Sequence, residues 1–207
     1  MKYITTSLLS SFKYWQESEK PIDEFMNTLN KIKTPTTEAM QRGIDFENDI
    51  QQHCIEFKNE ILNENDKISS EYANCIYKIT NIVKGGLWQC KVQKEIKINN
   101  QDFMLFGYAD VIKENAIYDI KTTAVYELGK YNTSTQHLIY MYCTGIKNFE
   151  YLIAQGGETL ENFYRESYSM QDDCESKIRQ KISEFLSFLD NCEEAKIAYN
   201  NNWDFNK

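Results

Sequence analysis

The hydrophobic pattern of this chain changes its period after Val83, and that change dictates the kind of fold it can adopt. Up to Val83 the apolar residues recur at helical spacing; from Leu87 they alternate. Trp88, Cys90 and Val92 occupy every second position, and Ile96 and Ile98 then alternate with Glu95 and Lys97. Period two marks a strand with one buried face. Asn99-Asn100 signals a tight turn, Asp102 to Asp110 a second strand, Lys113-Glu114-Asn115 another turn, and Ala116 to Lys121 a third strand. The pattern predicts an antiparallel meander of about three strands.

Helices are expected on both sides of it. Ser and Thr ahead of Leu8, Leu9, Phe12 and Trp15 predict a capped amphipathic helix from Thr5 to Trp15. A short helix is expected over Ile22 to Lys31, after Pro21. Beyond Pro35 a longer one runs from Glu38 towards Leu62, its apolar stripe being Met40, Ile44, Ile50, Cys54, Phe57 and Ile61. Asn63 to Asp66 is a polar break, and Ser69 to Val83 a further helix ending at Gly85-Gly86. After the meander, Thr133 to Thr144 reads as helix, Phe149 to Gln155 and Glu161 to Ser169 as strands, and Asp172 to Tyr199 as a last long helix. The class is α/β, a central mixed sheet flanked by helices. At 207 residues the chain is expected to form one domain, 1–207, with N-terminal helices over 5–83, a core over 87–155 and a C-terminal helix over about 172–199.

Composition narrows the function classes. A formal charge of −8 argues against a nonspecific nucleic-acid coat, which is basic, but not against an enzyme with a local basic groove. No apolar run reaches the roughly 20 residues that span a bilayer. The N-terminus holds one lysine and no long apolar core, so no signal peptide and a cytoplasmic location are expected. The six cysteines, at 54, 75, 90, 143, 174 and 192, are too scattered for a zinc knuckle or a redox pair and read as reduced thiols.

The chemistry-bearing stretch is Gly107-Tyr108-Ala109-Asp110 followed by Asp119-Ile120-Lys121-Thr122. Residues two apart on a strand share a face, so Asp119 and Lys121 project together, and a hairpin can bring Asp110 beside them. Two carboxylates can hold a hard cation such as Mg²⁺, and a lysine can orient a water or stabilise phosphate charge. A solvated hairpin face with an Asp–Lys pair is the plain alternative. Glu47, in Gly43-Ile44-Asp45-Phe46-Glu47, shares a helix face with Met40, Ile44 and Cys54. A carboxylate there calls for a metal, an arginine or solvent as partner. Gln136 and Tyr140 stand at i, i+4, able to orient a phosphate or each other, or to form only a polar helix rim.

In this order, Glu47, Gly107-Tyr-Ala-Asp110, Tyr118-Asp119-Ile-Lys121-Thr122 and Gln136-x-x-x-Tyr140 resemble the RecB-type branch of the PD-(D/E)xK nuclease superfamily, to which the phage recombination exonucleases of the lambda exonuclease kind are similar. The opening Thr6-Ser7-Leu8-Leu9-Ser10-Ser11-Phe12-Lys13-Tyr14-Trp15 resembles its N-terminal helix. The resemblance spans about Ser7 to Tyr142. It implies a restriction-endonuclease-like fold and metal-dependent cleavage of DNA phosphodiesters, in phage recombination or DNA repair. It makes Glu47, Asp110 and Asp119 the ligands of Mg²⁺ or Mn²⁺, with the Ile120 carbonyl as a further oxygen. Lys121 becomes the catalytic lysine, and Gln136 and Tyr140 the motif that orients the lysine or the DNA backbone. Glu95 is structural. The resemblance further implies DNA as substrate, and admits a single-strand annealing protein or other recombination partner and a homo-oligomer.

The chain departs from that branch in two ways. Many members carry histidine where Glu47 stands; a carboxylate suits Mg²⁺ equally. Members with an iron–sulfur cluster place one cysteine near the N-terminus and three together near the C-terminus, a pattern absent here, so no cluster is expected. No helicase domain accompanies the motifs, so the nuclease is free-standing or works with a separate partner. The alternative to an active nuclease is a catalytically silent nuclease fold binding DNA or protein.

Overall fold

The computed structural model describes residues 1–56, 71–156 and 160–205. Phe57, Ile61, the break at Asn63 to Asp66 and the expected helix start at Ser69 lie outside them.

A six-stranded mixed sheet organises the chain. Its strands are β1 (Lys2–Thr5), β2 (Leu87–Ile98), β3 (Gln101–Lys113), β4 (Ala116–Thr123), β5 (Asn148–Gln155) and β6 (Asn162–Ser169). The order is β1-β3-β4-β5-β6, with β2 on the other edge of β3. The meander is present: β2 and β3 form a long hairpin closed by Asn99 and Asn100, both at positive φ (48° and 63°), the left-handed pair a two-residue hairpin turn demands. β4 returns antiparallel to β3, but only from Lys113↔Ala116 to Val111↔Tyr118. β5 lies parallel to β4, and β6 antiparallel to β5.

Two helical layers cover the sheet. On one side are α1 (Thr6–Glu17), α2 (Ile22–Leu29), α5 (Gln136–Thr144), α6 (Cys174–Asn191) and α7 (Glu193–Asn202). They bury Leu8, Phe12, Phe25, Ile139, Ile182 and Phe185 with Val92, Phe103, Leu105 and Tyr151 of the sheet. On the other side α3 (Glu38–Glu56) and α4 (Glu71–Val83) bury Phe46, Ile50, Ile79 and Val83 with Val111, Ile120, Leu152 and Ala154. No described helix is long and apolar enough to cross a membrane.

Three expectations are corrected. The chain opens on a strand: Lys2–Thr5 pairs parallel with β3, and Thr5 caps α1 by accepting from the Leu8 N–H at 3.0 Å. The last helix is two, because Cys192 takes an extended backbone (φ −135°, ψ 94°) that turns α7 so that Ala195, Ala198 and Tyr199 enter the core. On α3, Met40 and Ile44 are exposed (57% and 49%), and the buried stripe is Phe46, Ile50 and Cys54. The helix approaches the sheet through Gly43 instead, where a Cβ would stand 3.1 Å from Thr122 Oγ1. That contact sets Glu47, one turn on, beside the strand that carries Asp119.

Candidate active site

The sheet splits where β3 and β4 part. Asp110 and Asp119 would be the next pair after Val111↔Tyr118, but the ladder stops there. The Asp110 carboxylate takes its place, its Oδ2 accepting from the Ile120 N–H at 2.8 Å. The Asp110 and Asp119 carboxyls lie close enough for the charge on one to act on the other. Burial raises both above the ordinary carboxylate range, and for Asp110 the charge on Asp119 raises it further, well above that range.

Three side chains complete the cluster. Lys121, on the same strand face as Asp119, makes an ion pair with its Oδ2. Burial alone would lower the lysine, but Asp119 and Asp110 outweigh it and hold the ammonium above its usual range. Gln136, at the start of α5, donates from Nε2 to Asp119 Oδ1. Glu47 accepts from Gln89 Nε2 through Oε1, and is raised first by burial and then by Asp119. The Asp119 side chain is 1% exposed and that of Lys121 29%, so the ion pair sits at the floor of the site, not on a solvated hairpin face.

Tyr140 holds a different place from its neighbour in the motif. Its ring is 3% exposed, its hydroxyl donates to the Tyr108 carbonyl at 2.6 Å, and Thr6 Oγ1 stands 3.4 Å from it. It presses on Gly107, where a Cβ would meet its Cε1 at 2.6 Å. Burial raises its hydroxyl, so it stays protonated and donating. The i, i+4 pair therefore serves one face of α5 in two ways: Tyr140 ties the helix to β3, and Gln136 holds Asp119. Ile120 joins through its backbone, its side chain lying in the α3–α4 layer. Glu95 is exposed opposite Met104, farther along the hairpin.

Sequence reasoning missed Gln89. Read as regular strand, Trp88, Cys90 and Val92 share a face. In the structure Trp88 packs in the α3–α4 layer while Cys90 and Val92 pack in the other. The facing strand does the same, Val111 in the first layer and Ala109 in the second. The alternation reverses at the facing residues Gln89 and Asp110, and Gln89 has a left-handed backbone (φ 48°). Neither glycine nor asparagine marks the position, so no turn signal betrays it.

Whether these residues suit a cation can be judged from the donors. Among the described residues no three His, Cys, Asp or Glu side chains stand together as a metal cage. Lys121 and Gln136 occupy the oxygens of Asp119, and Gln89 one oxygen of Glu47. Mg²⁺ does not need such a cage: it keeps several waters and binds through one or two carboxylates plus substrate phosphates. Two buried, adjacent carboxyls whose charged forms are disfavoured without a counter-ion, with a third at their edge, fit such an ion. Cys90, Cys143, Cys174 and Cys192 are free thiols.

No family model and no curated protein matches the sequence. Solved structures do. A protein from Eubacterium rectale provisionally assigned as an exonuclease superposes with a TM-score of 0.54 at 16% identity, over 98% of this chain and 83% of its own. An alkaline exonuclease from Laribacter hongkongensis gives 0.48 at 13% identity over 96% and 92%, and a phage-related exonuclease from Haemophilus somnus 129PT gives 0.40 at 11% over 97% and 94%. Only the first likeness is strong enough to carry weight, and at that identity it speaks to fold alone. It shows that the chain shares its fold, a central mixed sheet flanked by helices, with that protein.

Proposed function

We propose that this protein is a metal-dependent deoxyribonuclease that hydrolyses DNA phosphodiester bonds, acting as an exonuclease in phage recombination or DNA repair. The observation that carries the reading is the convergence of Asp110, Asp119, Lys121 and Gln136 where β3 and β4 separate. A structural core has no use for two adjacent buried carboxylates against an ammonium, since buried charges cost stability unless paired. The nuclease-like fold supports the same reading.

Asp110 and Asp119, with Glu47 and the Ile120 carbonyl, would hold Mg²⁺ or Mn²⁺. The ion would supply Lewis-acid activation of the phosphate and a lowered pKa for a bound water. Asp119 is kept in place by Gln136, and the helix that carries Gln136 is tied to β3 by Tyr140. Lys121 stays protonated in the present arrangement, fitted to stabilise negative charge on the phosphate oxygens. Beside a bound cation it would orient the attacking water or the phosphate.

A second reading, a nuclease fold that binds DNA without cutting it, draws on the absence of a three-ligand cage among the described residues. Digestion of end-labelled linear, nicked and circular DNA with Mg²⁺, with Mn²⁺ and with EDTA decides between them. Cleavage of linear DNA from its ends in either metal, and none in EDTA, is expected. DNA binding without cleavage in any metal would establish the second reading.

A further inference from the structure

Five described residues other than glycine have positive φ, and four of them lie in turns or at a helix end. The fifth, Gln89, lies inside β2, where neither pleat nor twist calls for that conformation. On either side of it the ladder is regular, Trp88↔Val111 and Cys90↔Ala109, but Gln89 and Asp110, which face each other, make no ladder pair. Such an outlier persists only where the surroundings hold it, and it points to a role.

We infer that Gln89 is the positioning residue of Glu47: its left-handed backbone turns the side-chain amide out of the hairpin so that it holds the helix-borne carboxylate beside Asp110 and Asp119. The inference rests on the nuclease reading of that site. Glu47 comes from α3, in a layer separate from the strands that carry the other acids. Among the described residues Gln89 is its one hydrogen-bond donor, on Oε1. An amide suits the task. A lysine would cancel the charge that a cation needs, a carboxylate would add a fourth negative group, and an amide donates while leaving both the charge and the second oxygen free.

The same reversal aims Asp110. Regular alternation would send residues 109 and 111 to one layer; here Ala109 and Val111 go to opposite layers, with Asp110 turned to the mouth between them. One distorted residue pair therefore directs two of the three acids.

The test separates strain from function by making them move in opposite directions. Gln89→Gly removes the backbone conflict and the donor together. In EDTA its Tm should hold or rise by about 2–4 °C, because glycine accepts positive φ. Its Mn²⁺ affinity, measured by calorimetry without DNA, should fall about tenfold, as losses of groups that orient a metal ligand do. Gln89→Asn, which tolerates the backbone but is one carbon too short, should lose affinity equally, and it decides the matter if the glycine variant does not fold. In a Glu47→Ala background neither change should cost anything more, because Gln89 acts through Glu47. Unchanged Mn²⁺ affinity in the single variants, or the same loss without Glu47, overturns the inference. If the wild-type chain neither binds Mn²⁺ nor cuts DNA, the nuclease reading fails first and takes the inference with it.

Discussion

Replacing Lys121 with alanine tests the site and the fold together. On a solvated strand face such a change would cost almost nothing. Here Lys121 is the cationic partner of Asp119, whose side chain is 1% exposed. Removing one member of a buried pair typically costs 3–5 kcal/mol, because the other is left charged and desolvated. The lower end applies, since the Lys121 side chain keeps 29% exposure and Asp119 retains its bond from Gln136. A loss of about 3 kcal/mol lowers the Tm of a chain this size by about 6–12 °C. The loss depends on pH with a definite sign. Asp119 has its carboxyl raised by burial, so at low pH it is neutral and has no need of the ammonium. The gap between variant and wild type should therefore be full at neutral pH and close as pH falls through the raised range of the Asp110–Asp119 pair. Mn²⁺ should restore stability to the variant more than to the wild type, because a cation takes the place of the lost ammonium. Cleavage should drop by roughly 10²–10⁴-fold, the cost of one electrostatic or proton-transfer group. The assays are thermal unfolding in EDTA and in Mn²⁺ across pH 4 to 8, and digestion of end-labelled linear DNA. Equal stability at pH 7 in EDTA would show that the ion pair contributes nothing, and wild-type cleavage would show that this strand is not the active site.

Other perturbations follow from the same geometry. Gly107→Ala places a methyl 2.6 Å from Tyr140 Cε1, so chemical denaturation should show a loss of about 1–3 kcal/mol from overpacking, and cleavage should fall as the displaced Tyr140 shifts α5, which carries Gln136. Glu166 is buried, accepts from the Tyr126 hydroxyl at 2.8 Å and from Tyr168, and so ties the loop after β4 to β6; Glu166→Leu should cost about 1–3 kcal/mol by urea titration, with the Tyr126 hydroxyl left unpaired while Tyr168 keeps Asn132. Because burial raises Asp110 and Asp119, and the charge on Asp119 raises Asp110 further, the acidic limb of the cleavage–pH profile should lie above the ordinary carboxylate range and move to lower pH as Mn²⁺ is increased. A limb at or below pH 4 would contradict the raised carboxyls.

Much of this site is legible in the sequence because its parts obey simple periods. Asp119 and Lys121 share a face because they are two apart on a strand, and Gln136 and Tyr140 because they are four apart on a helix. The hairpin turn at Asn99-Asn100 brings β3 back along β2, and the turn after Lys113 brings Asp110 to Asp119. What escapes is what tertiary contact decides. Glu47 is on the right helix, but its supposed companions Met40 and Ile44 are exposed; Phe46 and Ile50 pack the helix down, and Gly43 lets it come close. Strand β1 is four residues long and runs straight into the cap of α1, so the cap signal hides it.

Gln89 is illegible for a more instructive reason. Local preference at that position favours continued strand, and the alternation Trp88, Cys90, Val92 agrees with it. The fold overrides both, sending Trp88 and Cys90 into different layers. Sequences that fold well keep local preference and global structure consistent, and departures gather at functional sites. The departure here sits opposite Asp110 and reaches Glu47. A core requirement alone does not account for it, since a regular pair at 89 and 110 would keep the ladder intact and leave each strand with one buried face. What the distortion achieves is to point an acid and an amide out of the sheet at one spot. That makes the least regular residue pair of the hairpin the place where the demands of the site have displaced those of the sheet.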